Sequence, residues 1–323
     1  MRSSKHSSAR AMKHIITVRV PATSANLGPG FDSMGIALNL WNTFSLYEAE
    51  EQGVTVESHG EGESTLPTDA SHLVARTMLD ELAMHLPVSS RNTAYHIICQ
   101  NEVPCASGMG SSSTAVLAGL VFAHAILDRS TVQHHTTQRR ILTRAFELEG
   151  HGDNVAPAML GGLVIVAGKD DEIITQRITP LALRVVVCVP DYYFTTAHAR
   201  AALPLHYSRA DAVFNISRAM LVVEALRNSD LRLLAKVFED RLHEPYRIPA
   251  IPGAAEARRE ALAHGAAAVG LSGAGPGLIA FASENHDAIG LAMQSAFHSA
   301  GLRARYWVLD VSEHGLEIQC TAN

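Results

Sequence analysis

One run of residues, Pro104-Cys-Ala-Ser107-Gly108-Met109-Gly110-Ser111-Ser112-Ser113-Thr114, stands directly ahead of an apolar stretch with helical character. Glycine lacks a Cβ, so the backbone N–H groups of such a run can approach an anion closely, and a helix N-terminus adds free donors and the positive end of its dipole. The serine hydroxyls can bond phosphate oxygens or hold magnesium, a hard cation that takes oxygen ligands. The same letters also suit a tight turn whose serines cap a helix. No GxxxxGK[ST] occurs, and no GxGxxG follows a strand, which removes a Walker A loop and a dinucleotide fingerprint. Gly270-Leu-Ser272-Gly-Ala274 ends in Ala where a nucleophile elbow has Gly, which argues against a serine hydrolase.

Two further glycine-rich stretches flank this one. Pro21-Ala-Thr-Ser-Ala-Asn26-Leu-Gly28-Pro-Gly30-Phe-Asp32 follows the first β-like segment and carries two polar side chains, Asn26 and Asp32. Asn and Asp in such a loop are commonly turn formers. Gly270-Leu-Ser272-Gly273-Ala-Gly275-Pro-Gly277 lies between two short β-like segments, where a backbone can press against another loop or a ligand.

The elements that must position these loops are legible in outline. Ile15–Val20, Thr43–Glu48, Gly53–Glu57 and Tyr95–Cys99 read as strands. Leu73–Leu86, with Ser71 as its cap, Ser113–Asp128 and Gln138–Glu149 read as helices, and Gly162–Ala167 as a strand. A polar turn follows near Lys169–Asp171, and the domain boundary is expected about ten residues beyond it. The second half opens on a strongly apolar strand, Arg184–Val189. Helices at Ala210–Arg227, Leu231–Leu242, Ala254–His264 and Ala288–Ala300 follow, with strands at Ala267–Leu271, Leu278–Ala282 and Arg305–Val311. Strands and helices mix without regular βαβ alternation, so the fold class is α+β in two domains, 14–179 and 180–323, after a disordered tail, 1–13.

The chain of 323 residues is 47% hydrophobic and 18% charged, a soluble globular balance. Its net charge of −6 argues against nonspecific binding to nucleic acid or to an anionic membrane. The longest apolar run, Ala115–Leu127, is interrupted by His124 and is shorter than the roughly 20 residues that span a bilayer. Cys99, Cys105, Cys188 and Cys320 form no CxxC pair, as expected of reduced thiols in a cytoplasmic protein. Basic residues are nearly all Arg, and Lys is absent between Lys13 and Lys169.

The three glycine-rich stretches, in this order, resemble the signature motifs of the GHMP kinases (galactokinase, homoserine kinase, mevalonate kinase, phosphomevalonate kinase), the middle one following that family's P-x(3)-G-x-G-S-S pattern. The resemblance spans nearly the whole chain after the tail. It implies an N-terminal α/β domain, a C-terminal ferredoxin-like domain and ATP between them. Within that family, PATSANLGPGFD, Glu149-Gly-His151-Gly-Asp153-Asn154, Thr195-Thr196-Ala-His-Ala-Arg200 and Glu244-Pro-Tyr-Arg247 resemble the homoserine kinases. Mevalonate kinases and galactokinases carry a Lys or Arg with a Glu-His in the first motif, and this chain has neither there.

The resemblance implies that Pro104, Ser107–Ser113, Gly273 and Gly275 bind ATP, and that Mg2+ is held by Ser112 (or Ser111) and by Glu149, with Glu147 open as an alternative. L-homoserine is a zwitterion, and the residues suit one. Arg200 and Arg247 offer planar forks to its carboxylate, while Asp32, beside Asn26 and Asn154, can face its ammonium. His151 and Asp153 lie at the same amino-acid site by resemblance. Thr196 could bond the acceptor hydroxyl. Asp153 is the candidate base, with proton loss to the γ-phosphate as the alternative. The implied product is O-phospho-L-homoserine, in threonine biosynthesis, and the family suggests a homodimer. Two rivals remain at this level: a GHMP kinase for a sugar, mevalonate or an isoprenoid precursor, and a silent nucleotide-binding protein on the same fold. The chain departs from common letters at Gly-Met-Gly and at His-Gly-Asp-Asn, without losing a donor or a charge.

Overall fold

In a computed structural model, which describes residues 12–87, 94–169, 172–179 and 183–319, two sheets lie side by side. The first uses β1 (Lys13–Ala25), β2 (Met34–Glu48), β3 (Val54–Gly60), β4 (Tyr95–Asn101), β5 (Leu163–Lys169), β6 (Glu172–Ile178) and β11 (Glu317–Gln319). Its order is β11-β1-β2-β4-β3, with β5 paired to the start of β2 and β6 to β5. Only β3 and β4 run parallel. Over this sheet pack α1 (Leu73–His85), α2 (Ser111–Asp128), α3 (His135–Glu149) and α4 (Val155–Leu160). α2 is apolar on every side, as a helix enclosed in a core must be, and its residues from Ser113 to Ala125 are all buried.

The second sheet, β7 (Arg184–Pro190), β8 (Ala268–Leu271), β9 (Leu278–Phe281) and β10 (Ala304–Asp310), is antiparallel throughout in the order β10-β7-β9-β8. With α9 (Ala254–Ala263) and α10 (His286–Ser299) it makes the ferredoxin-like arrangement that the sequence implied. Both faces of β7 are covered. Val185 and Val187 enter a core shared with β1, β2, α6 (Arg209–Arg227) and α7 (Leu231–Val237), while Val186 and Cys188 face α9 and α10. The shared core welds the two units together. Two short helices, α5 (Thr196–Ala201) and α8 (Glu244–Arg247), complete the region between β7 and α9.

Several elements differ from the sequence-based expectation, for local reasons. β1 opens at Lys13 and continues to Ala25, so Pro21–Ala25 is strand; Pro21, without an N–H to donate, sits at a break in register. The tail expected over 1–13 otherwise lies outside the described residues, apart from exposed Met12. β2 begins nine residues before the expected Thr43. The helix expected over 231–242 stops at Val237, because Asp240 turns its carboxylate to the N–H groups of His243 and Glu244 and starts α8. The cap of α1 is His72, whose Nδ1 accepts from the Val74 N–H, while Ser71 is bonded to Asp69. α4, β6, α5, α8 and β11 had no expected counterpart. The turn near 169–171 lies largely outside the described residues. β11 returns to the first sheet, so the segment from 180 onward does not stay in the second.

Candidate active site

The three glycine-rich stretches converge. The first is the turn of the β1–β2 hairpin, the second leads from β4 into α2, and the third joins β8 to β9. The Ser272 hydroxyl donates to the Gly108 carbonyl at 2.8 Å, and the Gly277 N–H to the Ser107 carbonyl at 3.1 Å. The Gly273 N–H donates to the Ala25 carbonyl at 3.1 Å, and the Asn26 Nδ2 to the Gly273 carbonyl at 2.6 Å. Gly108 must be glycine: its φ is +81°, and a Cβ there would sit 2.0 Å from the Ser272 carbonyl oxygen. Non-glycine residues also hold positive φ here, Asn26 at 71°, Leu27 at 46°, Asp32 at 53° and Ala106 at 50°. Strain of this kind, of order 1–3 kcal/mol per residue, persists where surrounding contacts over-determine it and gathers at functional sites.

These loops wall a cavity of about 300 Å³. Its floor is the N-terminus of α2. Gly110, at φ 72°, supplies no side chain to cap the helix, and no side-chain bond does so. The serine hydroxyls are turned elsewhere: Ser112 and Ser113 donate to Glu149 Oε2 at 3.2 and 3.3 Å, so the cap-only reading of the loop loses its capping bonds. The open N–H groups and the dipole make this floor suited to anions. Burial holds the Glu149 carboxyl above the usual range, offset in part by His151 and the two serine hydroxyls. Glu147 pairs instead with Arg144 at 2.7 Å on the exposed side of α3, which separates the two glutamates that the sequence left open.

Opposite this floor stand the charged side chains. Arg200 of α5 makes two bonds of 3.0 Å to Asp32, a fork-to-fork pair that reaches from the second unit to the first loop. The pair holds the Arg200 guanidinium above its usual range. Arg247 differs in kind. It is 1% exposed, among the largest fully buried side chains, and lines the cavity. Its Nε donates to the Ala199 carbonyl at 3.2 Å and its Nη1 to His243 Nδ1 at 3.3 Å, and no carboxylate among the described residues pairs with it. Burial pulls it below the usual arginine range, with Asp32 acting against that, yet a guanidinium stays charged.

His151 Nδ1 bonds Asp153 Oδ1 at 2.7 Å. Burial alone would lower the His151 imidazole, but the bond and charge of Asp153, with the charge of Glu149, outweigh it and raise the group. Asn154 accepts from the Thr23 hydroxyl at 2.7 Å. Thr196 opens α5 on the cavity wall, where Thr195 accepts from the His198 N–H.

Of the expected residues, Asn26, Asp32, Ser107, Gly108, Gly110, Ser111, Ser112, Glu149 and Gly275 line the cavity, as do His151, Asp153, Asn154, Thr196, Arg200 and Arg247. Four others do not. Met109 is buried in the shared core, Ser113 is buried under the helix start, and Gly273 is spent on loop contacts. Pro104 borders a neighbouring cavity of about 840 Å³. The Asn26 amide is committed at both ends, since its Oδ1 also accepts from the Asp32 N–H at 3.0 Å. Thr23, Tyr193, Phe194 and His243 were not singled out in the sequence. Thr23 lies inside the PATSAN stretch, whose letters suggest a loop, and a lone His243 carries no signal of its own.

Known proteins resemble this arrangement. The family of GHMP kinases N terminal domains matches residues 72–162, and that of GHMP kinases C terminal domains matches residues 222–299. A homoserine kinase of Moorella thermoacetica is 38% identical, over 92% of this chain and 98% of its own length. One of Desulfitobacterium hafniense is 35% identical, over 94% of this chain and 100% of its own. The crystal structure of homoserine kinase from Cytophaga hutchinsonii superposes with a TM-score of 0.81 at 28% identity, covering 96% of this chain and 99% of that one. A mevalonate kinase of L. major shares the fold alone, with a TM-score of 0.65 at 16% identity. The chain belongs to the GHMP kinase family, in its homoserine kinase branch.

Proposed function

We propose that the protein transfers the γ-phosphoryl group of ATP to the side-chain hydroxyl of L-homoserine, giving O-phospho-L-homoserine and ADP, a step of threonine biosynthesis. The observation that carries the substrate is Arg247, a buried guanidinium with which no carboxylate among the described residues forms a direct ion pair. A buried charge calls for a partner, and a substrate carboxylate supplies one. Asp32 meets the substrate ammonium, and Arg200 exchanges Asp32 for the carboxylate. The chemistry needs alignment and charge neutralisation more than covalent work. The loop Gly108–Ser112 and the α2 N-terminus cradle the phosphates. The neighbouring cavity, which borders Pro104, Cys105 and Ala106, has room for the nucleoside.

Mg2+ fits the donor set: the Ser112 hydroxyl, with Ser111 as the alternative, beside the Glu149 carboxylate, all oxygen, while buried Ser113 braces that carboxylate. When bound there it supplies charge neutralisation at the phosphates. Thr196 orients the acceptor hydroxyl, and Asp153, whose Oδ1 is steadied by His151, takes its proton. The molecule works as a homodimer in the cytoplasm, with no nucleic-acid or membrane partner; α2, although 18 residues long and apolar, is mostly buried in the protein. An ADP-release assay with MgATP tests the reading against mevalonate, galactose and L-serine as acceptors. A clear preference for homoserine is expected. Preference for another acceptor would discard the amino-acid clamp, and no turnover with any of them would favour a silent nucleotide binder.

A further inference from the structure

His243 lies just ahead of α8, with no exposed surface, and both of its ring nitrogens are engaged. Its Nε2 is 2.9 Å from the Gly28 carbonyl oxygen, and its Nδ1 is 3.3 Å from Arg247 Nη1. A carbonyl only accepts and a guanidinium only donates, so the partners dictate the tautomer: Nε2 carries the proton and Nδ1 is the acceptor. The ring also stacks on Phe31, with centroids 5.1 Å apart, and the Arg247 guanidinium carbon lies 5.0 Å over the same Phe31 ring. The Asp240 carboxylate takes the His243 backbone N–H at 2.8 Å, which fixes the base of the side chain.

We infer that His243 is a positioning residue for the substrate carboxylate: its Nδ1 and the Ala199 carbonyl orient the Arg247 guanidinium so that Nη2 faces the cavity. Nη2 makes no hydrogen bond to the protein among the described residues. The inference rests on the homoserine reading, because it assigns Arg247 to that carboxylate. It goes beyond it in naming a residue that does not line the cavity. The bond to Gly28 is the lesser half. That loop is also held by Asn26 to Gly273 and by Asn215 Nδ2 to the Pro29 carbonyl at 3.3 Å, so it tolerates the loss of one contact.

Two substitutions separate the halves. In His243→Asn the side-chain oxygen takes the place of Nδ1 and keeps an acceptor for Arg247. In His243→Gln the amide nitrogen takes the place of Nε2 and keeps the Gly28 bond while the acceptor is lost. The KM for homoserine should rise about tenfold or more in His243→Gln, the usual scale for losing a hydrogen bond to a charged group. In His243→Asn it should stay near that of the unaltered enzyme, with the KM for ATP steady in both. Equal rises in the two variants, an unchanged KM in His243→Gln, or a parallel rise in the KM for ATP would overturn the inference. Should the unaltered protein fail to turn over homoserine, the substrate reading falls. The positioning claim is then decided by the hydrogen-exchange rate of the Arg247 side chain in ¹⁵N NMR, assigned with Arg247→Lys. Faster exchange in His243→Gln than in His243→Asn would support it, and equal rates would overturn it.

Discussion

The two arginines that the sequence offered as equals are unequal in the structure. Arg200 is 40% exposed and already paired with Asp32, itself 35% exposed, so their mutual attraction is screened by solvent and contributes little to stability. Arg247 is buried and has no directly paired carboxylate among the described residues, so the energetic demand for a ligand anion falls on it. His151 gives a separate, titratable check on the site. Its raised value means that the contribution of the His151–Asp153 pair is full below the ordinary histidine range and is lost as pH rises through the raised value. In Asp153→Asn the negative charge disappears and at most a neutral acceptor remains, leaving the Glu149 charge as the main force against burial. The His151 titration followed by NMR should therefore move to lower pH in that variant. A titration that stayed in place would mean that Asp153 does not govern the imidazole.

At the scale of elements, the α2 N-terminus is the feature on which nucleotide binding depends. Its cap position is a left-handed glycine with no side chain, and its serines serve Glu149 in place of the helix. Changing Ser111 and Ser112 together to Ala should weaken MgATP binding severalfold while the far-ultraviolet circular dichroism stays unchanged, because no capping bond is lost. Retained affinity, measured by calorimetry, would return these serines to a structural role. The loop sequences made this element legible, since glycines and serines ahead of an apolar run say where a helix starts and what it leaves open. Other elements were hidden for reasons that can be named. β1 runs through Pro21 because the register breaks there. α7 ends early because Asp240 caps the next helix with its side chain, a bond that no periodicity reveals. Asn26 reads as a ligand residue in sequence, yet its amide braces Gly273 and Asp32, a role that only the meeting of two distant loops creates.

Across the whole molecule, the site exists because two sheets share one core and three loops from different parts of the chain interlock above it. That the three loops serve one nucleotide site between two domains followed from the family resemblance. The return of β11 to the first sheet did not, since three residues at the end of a chain carry almost no pattern. The outer surface of α6 adds a feature that periodicity does display: Val213, Ile216 and Met220 are each at least 60% exposed, with exposed Arg209 and Glu224 beyond them at helical spacing. An antiparallel pairing of this stripe with its copy would set Arg209 against Glu224, in keeping with the proposed homodimer. Ile216→Asp should then shift the sedimentation coefficient from dimer to monomer at micromolar concentration. An unaltered dimer would locate the interface elsewhere.

The central claim is that the cavity recognises both charges of an amino acid while presenting its hydroxyl to ATP. The most direct test compares kcat/KM for L-homoserine with that for 3-aminopropan-1-ol, which lacks the carboxylate, and for 4-hydroxybutyrate, which lacks the ammonium. The account predicts a loss of about a hundredfold or more for the analogue without the carboxylate, the scale of leaving buried Arg247 without its partner, and a smaller but clear loss for the analogue without the ammonium, whose partner Asp32 is partly exposed. Turnover of either analogue at close to the homoserine rate would contradict it.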